Sequence, residues 1–304
     1  MSVTQIRGRL RGGRWQPLHR GVYATFTGEP TRLALIWSAL LSSGPGAVAS
    51  HNTAAELYQI EGPRPGSRAD AIHVTIPAAR TVQRAREAGP REAPLPRLVV
   101  HRSDRIVRSS HPALLPPRTR IEETVIDLTQ SAATFEDAFH WLCRACADRK
   151  CTAGMLRRSL GQRKKARYRH ELHTALADIA DGVHSALEFR YVRGVERPHG
   201  LPAARRQALM TPGGRRRYLD NFYPAYLLGV ELDGAAAHPG AGRWDDIRRD
   251  RSLARLGVMT VRYNWSDVTV RRCQVAAEIA SILTQRGWPG AFRRCGPACL
   301  AAPP

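Results

Sequence analysis

The chain has 304 residues, enough for about two domains, and its hydrophobic content of 43% excludes a disordered chain. No run of about 18 apolar residues occurs, and the N-terminus lacks the apolar core of a signal peptide, which predicts a cytoplasmic protein. The net charge is +21, and all but three of the 47 basic residues are arginines. Such a charge favours a polyanionic partner, nucleic acid first, although GC-rich coding also produces an arginine bias.

Residues 1–28 predict a short helix followed by a hairpin. Thr4–Arg11 has helical character, the Gly12-Gly13 pair is a turn signal, and "WQPLHRGVYATF" is typical of strands. This arrangement indicates the wing of a winged helix without the two helices that would precede it. Arg14 and Arg20 are the candidate contacts of this wing with DNA phosphates.

An α+β region is predicted over residues 29–115 and a helical region over 116–182. "EPTRLALIWSALLSSGPGAV" contains a helix, "SHNTAAELYQI" begins a second one, and "AIHVTIP" and "RLVVHRS" are strands. The helical region includes Cys143 and Cys146. Because zinc needs four converging ligands, this CxxC pair on a helix is more typical of a core than of a metal site.

Residues 183–288 predict a separate α/β domain in the order helix, three strands, helix, strand, helix. The strand–helix–strand connection requires a parallel crossover, so the sheet is mixed, with helices on both faces. Pairing the second and third strands about the "YPAY" turn places their midpoint between Ala225 and Tyr226. The Pro-Gly-rich residues 289–304 predict a disordered tail.

Three acids collect in these predicted strands. The midpoint places Asp220 opposite Glu231, with Asp233 on the face of Glu231. Because like charges in direct opposition are destabilising, something cationic should offset them. Mg²⁺ accepts one or two carboxylates together with phosphate oxygens, and pairing with the many arginines is the alternative. Glu188, on the preceding helix, is either a fourth acid of this site or the capping-box partner of Ser185.

Further polar residues follow the third strand. His238 is a candidate for proton transfer or phosphate contact, although a single histidine is more often structural. Arg248, Arg251 and Arg255 recur at the spacing of one helix face, which suits phosphate binding or simple exposure to solvent. Asp233 precedes a glycine, so it also fits a tight turn.

The stretch "YLDNFYPAYLLGVELDGAAAH…RRDRSLARLGVMTVRYNW" resembles the PD-(D/E)XK nuclease superfamily, and within it the small domains similar to very-short-patch-repair (Vsr-like) endonucleases. The resemblance covers roughly residues 183–288. The matching positions are Asp220, Glu231, Asp233-Gly234, His238, Arg249-Asp250, Leu253, Gly257 and Arg262. Asp233 occupies the position of the superfamily's lysine. The upstream segments "HRGVYA", "SHNTAAEL" and "PRTRIEETVIDL" resemble actinobacterial chains that carry a winged-helix domain similar to AbiEi-type antitoxins.

The resemblance implies a restriction-endonuclease-like fold and a DNA endonuclease or nickase that depends on Mg²⁺ or Mn²⁺. It implies that Asp220 and Glu231 bind the metal, that Glu188 and Asp233 support them, and that His238 handles a proton. The residues expected to contact DNA phosphates in this domain are Arg248, Arg251 and Arg262. The alternative is a non-catalytic DNA-binding regulator or antitoxin-like protein that keeps the fold, and a toxin–antitoxin or defence-system partner is a further expectation.

Overall fold

A computed structural model describes residues 1–19, 21–62, 71–80, 95–147, 149–214, 216–233, 248 and 250–301. The chain divides into two compact units, Met1–Leu176 and Ala177–Pro304. Each unit contains helices and a mixed sheet, which confirms the α/β class. Within the described ranges, no helix combines the length and the apolar character that crossing a bilayer requires.

The first unit begins with a capped helix and a hairpin. Helix α1 (Val3–Arg11) starts after Ser2, which forms a capping box that satisfies amide groups of the first turn. Strands β1 (Gln16–His19) and β2 (Val22–Ala24) pair in antiparallel fashion. The predicted helix and hairpin are therefore confirmed. Arg14 lies exposed between α1 and β1, and Arg20 lies outside the described residues.

A three-stranded mixed sheet forms the core that follows. Its elements are α2 (Arg32–Ser43), β3 (Val48–Ala49), α3 (His51–Leu57), β4 (Ala71–Pro77) and β5 (Arg97–Ser103). The central strand β4 pairs antiparallel with β3 and parallel with β5. Apolar residues of α2, including Ile36 and Leu40, pack against Ile72, Val74 and Ile76 of β4.

Helices make up most of the remainder of this unit, as the sequence predicts for residues 121–180. They are α4 (Ile106–Ser109), α5 (Ile121–Ser131), α6 (Phe135–Ala147), α7 (Ala153–Gly161) and α8 (Arg169–Ala180), whose last four residues belong to the second unit. Cys143 and Cys146 lie on α6, buried and half-buried respectively, as expected of a pair that belongs to a helix core.

The second unit contains a four-stranded sheet in the order β6-β7-β8-β9. Its elements are α9 (Ala186–Arg190), which continues as the π-helical turn Tyr191–Glu196, then β6 (Arg205–Met210), β7 (Arg217–Tyr223), β8 (Leu228–Asp233), β9 (Met259–Asn264), α10 (Trp265–Thr269) and α11 (Arg272–Gln285). Residues 248 and 250–254 between β8 and β9 are also helical. The first three strands pair antiparallel, whereas β8 and β9 pair parallel. The predicted mixed sheet is thus confirmed.

Both faces of this sheet carry apolar cores. Tyr223 and Val230 pack in a cluster with residues of α9 and α11, whereas Phe222 packs in another with Leu253 of the helical segment 250–254. Phe222 and Tyr223 are adjacent in β7, so their side chains leave opposite faces of the strand. Helices therefore cover both faces, which fixes the register of the strands between them.

The segment after α11 departs from the expected disordered tail. Cys299 and Ala301 are buried, and they form a small core with Cys273 of α11. The backbone amide of Arg293 donates to the carbonyl of His199 over 2.9 Å. Gly and Pro disfavour a regular helix here, but they do not prevent the irregular backbone from packing. The prediction of disorder is therefore wrong for residues 289–301.

Candidate functional site

The two strand acids lie where the register of β7 and β8 predicts. Asn221 pairs with Val230 and Tyr223 with Leu228, which confirms the midpoint between Ala225 and Tyr226. One step beyond the last pair, the Asp220 Oδ2 atom accepts a hydrogen bond of 2.9 Å from the Leu232 amide. This bond holds the Asp220 carboxylate on β8, beside the buried Glu231.

Glu188 joins this site from α9. It is 5% exposed, and its carboxylate accepts hydrogen bonds from the His184 amide over 2.9 Å and from the Ser185 hydroxyl over 3.2 Å. Burial raises its pKa to about 7, and the negative charge of Asp220 adds to the rise while the hydrogen bonds oppose it. Ser185 also caps the helix by accepting from the Glu188 amide, as predicted, but the Glu188 side chain accepts from the His184 amide instead of the Ser185 amide, so the reciprocal half of the capping box is absent from this pair.

Gln207 of β6 connects the two carboxylates, and sequence reasoning did not find it. Its Nε2 atom lies 3.3 Å from Glu188 Oε1 and 3.2 Å from Asp220 Oδ1. Its backbone φ of 45° is in the left-handed region, where a residue with a side chain is strained. No local sequence signal marks such a position, because glutamine does not favour that conformation.

Arg262 of β9 places a positive charge beside the remaining acids. The register places it beside Glu231, and its guanidinium donates to Asp233 over 3.3 Å and to Asp250 over 3.1 Å. Burial alone would lower the pKa of Arg262, but Asp250, Asp233 and Glu231 raise it. Arg262 therefore pairs with Asp233 and Asp250 and lies beside Glu231 in the register. An arginine with two carboxylate partners is a weaker candidate for a phosphate contact than the sequence indicates.

The structure describes only some of the other predicted phosphate and proton contacts. Arg248 and Arg251 are exposed on the helical segment between β8 and β9. His238 lies outside the described residues. Arg14 belongs to the first unit, and Arg20 lies outside the described residues. Within the second unit, the contacts given above bring together Glu188, Gln207, Asp220, Glu231, Asp233, Asp250 and Arg262.

Among the described residues, two groups bring three or more metal-ligating atoms within 4.8 Å of one another. One is His51, His73 and His101 in the first unit, and the other is His199 with Cys273, Cys295 and Cys299 in the second. The strand acids belong to neither group. A cation between Asp220 and Glu231 would therefore rely on oxygens from its substrate or solvent for the rest of its coordination.

The three histidines stack in the first unit. The rings of His51 and His101 are parallel with centroids 3.7 Å apart, and His73 Nδ1 lies 3.0 Å from His101 Nε2. Burial, followed by the neighbouring imidazoles, lowers the pKa of His51 to about 2 and that of His73 to about 4. The cluster is therefore neutral at pH 7. The sequence gives no hint of it, because its members lie on α3, β4 and β5.

No protein-family model and no curated protein matches the chain. The feature of the chain that points to a function is therefore the chemistry of the cluster in the second unit.

Proposed function

We propose that the second unit is a divalent-metal-dependent DNA endonuclease or nickase of the Vsr-like PD-(D/E)XK type, with a restriction-endonuclease-like sheet. The observation that carries this proposal is the hydrogen bond from the Leu232 amide to Asp220, which holds two carboxylates of adjacent strands side by side. A buried carboxylate is costly unless a positive charge or hydrogen bonds compensate it. Hydrogen bonds to Asp220 and Glu188, and Arg262 beside Glu231, provide this compensation and keep the acids in one place, as a site for a divalent cation requires.

The oxygens of the cluster fit Mg²⁺ or Mn²⁺. Each oxygen of Asp220 accepts one hydrogen bond, from Gln207 or from Leu232, and a carboxylate has about four lone-pair sites in all. Asp220 and Glu231 would hold the ion, which supplies a more acidic water and stabilises the leaving oxygen of a phosphodiester. Hard oxygen ligands of this kind suit Mg²⁺ better than the sulfur and imidazole groups elsewhere in the unit.

Arg262 would supply the positive charge that the superfamily's lysine supplies. Its guanidinium reaches from β9 to Asp233, which occupies the lysine position in the sequence. An arginine stays protonated, so it would stabilise negative charge and leave proton transfer to another group. Asp233 would then act by positioning Arg262.

Glu188 is the described acid best suited to proton transfer. Its pKa of about 7 is close to the pH at which such a group gives and takes protons most effectively. Gln207 connects it to the metal-binding carboxylate of Asp220, so the two acids are held in one network. We propose that Glu188 accepts a proton from the attacking water, directly or through a second water.

Conversion of supercoiled plasmid DNA to nicked or linear forms tests this proposal. The full chain should convert the plasmid in Mg²⁺ or Mn²⁺ and fail to do so in excess EDTA. Asp220→Asn should lose the activity, whereas Asp181→Asn, which changes an exposed acid of the same unit, should keep it. Equal conversion by Asp220→Asn would contradict the proposal, since the activity would then come from another site or a contaminant.

A non-catalytic DNA-binding regulator is the second candidate function. The pairing of Asp233 with Arg262 favours it, because the position that normally carries a catalytic lysine is occupied by an ion pair. This candidate predicts DNA binding whose affinity falls steeply with salt, no cleavage with any divalent ion, and equal affinity for the wild type and Asp220→Asn.

A further inference from the structure

A second polar cluster lies in the C-terminal unit, formed by one histidine and three cysteines. His199 lies just after the π-helical turn and is fully buried, and Cys273 lies in the first turn of α11. Cys295 and Cys299 belong to the irregular segment that follows α11. All four ligand atoms lie within 4.8 Å of one another.

The spacing of these atoms is that of a tetrahedral metal site. Zinc binds sulfur at about 2.3 Å and nitrogen at about 2.0–2.1 Å, so a tetrahedron places two sulfurs about 3.8 Å apart and a sulfur and a nitrogen about 3.6 Å apart. The Sγ atoms of Cys273 and Cys295 are 3.7 Å apart, and Cys299 Sγ is 3.8 Å from His199 Nε2. The cysteines are not joined by a disulfide.

The orientation of His199 is already that of a ligand. Its Nδ1 atom lies 2.8 Å from the carbonyl oxygen of Val195, which can only accept a hydrogen bond. Nδ1 therefore carries the proton, and the lone pair of Nε2 faces the sulfur of Cys299. The ring also stacks on Phe292, with centroids 5.3 Å apart, which restricts its rotation.

The sequence spacing and the local charge agree with this geometry. Cys295 and Cys299 form a C-x₃-C pair, within the range usual for two zinc ligands on one loop. Three thiolates around one Zn²⁺ carry a net negative charge, and Arg294, whose side chain donates to the Cys299 carbonyl over 2.9 Å, provides positive charge beside them. The segment has neither helix nor strand to hold it in place, so a cross-link to α11 accounts for its packing.

We propose that His199 and the thiolates of Cys273, Cys295 and Cys299 bind one structural Zn²⁺, which fastens the C-terminal segment to α11 and to the turn after the π-helix. Four protein ligands leave no open position, so this ion serves stability rather than chemistry. The proposal is independent of the metal site at Asp220 and Glu231, which offers oxygen ligands alone.

Elemental analysis of the purified, untagged protein tests the site. Protein expressed with added zinc and purified under reducing conditions should retain about one zinc per chain. Cys295→Ser and Cys299→Ser should lose it, and Cys146→Ser, a half-buried cysteine of the first unit, should retain it. A wild type without zinc, or a Cys295→Ser variant with as much zinc as the wild type, would overturn the proposal.

Cobalt substitution keeps the test decisive if a serine variant fails to fold. Wild-type protein loaded with Co²⁺ should show the visible absorption of a tetrahedral ion and a thiolate-to-cobalt charge-transfer band. His199→Cys should keep tight binding and intensify that band, since a fourth thiolate replaces the imidazole. A wild type that binds no cobalt, or whose Cys273 and Cys295 are found joined as a disulfide after alkylation and mass spectrometry, would contradict the zinc site.

Discussion

The carboxylate of Asp220 on β7 accepts a hydrogen bond of 2.9 Å from the backbone amide of Leu232 on β8. The bond holds the acidic group of Asp220 against the neighbouring strand, beside Glu231.

Loss of the Gln207 amide should weaken the site. Gln207→Ala removes the group that connects Glu188 with Asp220, which leaves two acids to repel each other. We expect a decrease of about 10–100-fold in divalent-ion affinity or in cleavage rate. Isothermal titration with Mn²⁺ measures the affinity, and Gln285→Ala, an exposed glutamine at the end of α11, is the control that should bind as the wild type does.

The strained backbone at Gln207 should also affect the stability of the fold, separately from the loss of the side-chain amide. Because its φ is 45°, glycine is accommodated there more easily than alanine. Gln207→Gly should therefore be more stable than Gln207→Ala in urea unfolding, by about 1 kcal/mol, although both lack the amide. Equal stabilities would mean that the backbone relaxes at this position and that the strain does not belong to the site.

Glu188 should make the second unit less stable at high pH. Burial holds its pKa at about 7 in the folded protein, against an ordinary value of 4.5. Its contribution to stability is therefore fully present below pH 4.5 and is lost as the pH rises through 7. Glu188→Gln, which stays uncharged, should remove this loss, so the difference between variant and wild type in urea unfolding should grow between pH 5 and pH 8. A difference that is constant across this range would contradict the raised pKa.

The histidine cluster should give the first unit the opposite dependence. The pKa values of His51 and His73 are lowered from 6.5 to about 2 and about 4. Their contribution to the stability of the folded state is present above pH 6.5 and is lost as the pH falls below that value towards about 4. The reason is that these histidines bind protons in the unfolded chain at pH values at which they stay neutral in the folded chain. His51→Asn should flatten this loss, since asparagine tolerates the φ of 48° at this residue and does not titrate. His170→Asn, an exposed histidine of α8, should leave it unchanged.

Arg262 should be coupled energetically to Asp250. Their side chains are 24% and 41% exposed, so solvent screens the pair and we expect a coupling of about 1 kcal/mol. A double-mutant cycle of Arg262→Gln and Asp250→Asn in urea unfolding measures it. The coupling should shrink at high salt, and a value that does not change with salt would show that the two groups interact through packing.

The strand pattern of the second unit could be predicted because it depends on local sequence. Alternation of apolar and acidic residues in "VELD" fixes which side of β8 faces the apolar core formed with α9 and α11, and the turn at Pro224 fixes the register of β7 on β8. Asp220 and Glu231 are neighbours for that reason. The capping role of Ser185 is local in the same sense and could be read from its spacing to Glu188.

The groups that the sequence did not predict meet through long-range packing. Arg262 reaches Asp250 only after the crossover between β8 and β9 has formed. Gln207 depends on a backbone conformation that its residue type disfavours. In the C-terminal segment, Pro and Gly indicate irregular backbone, but burial of Cys299 against Cys273, which local sequence does not reveal, decides whether that backbone is ordered.

Thermal unfolding of the wild type, Asp220→Asn and Asp181→Asn in increasing Mg²⁺ or Mn²⁺, without a chelator so that any zinc stays bound, tests the central claim most directly. An ion at about 100 times its Kd stabilises the folded protein by about 2.7 kcal/mol. If Asp220 and Glu231 hold the ion, the unfolding temperature of the wild type and of Asp181→Asn rises with the ion concentration, and that of Asp220→Asn does not. An equal rise in Asp220→Asn would place the ion elsewhere and contradict a cation site between Asp220 and Glu231.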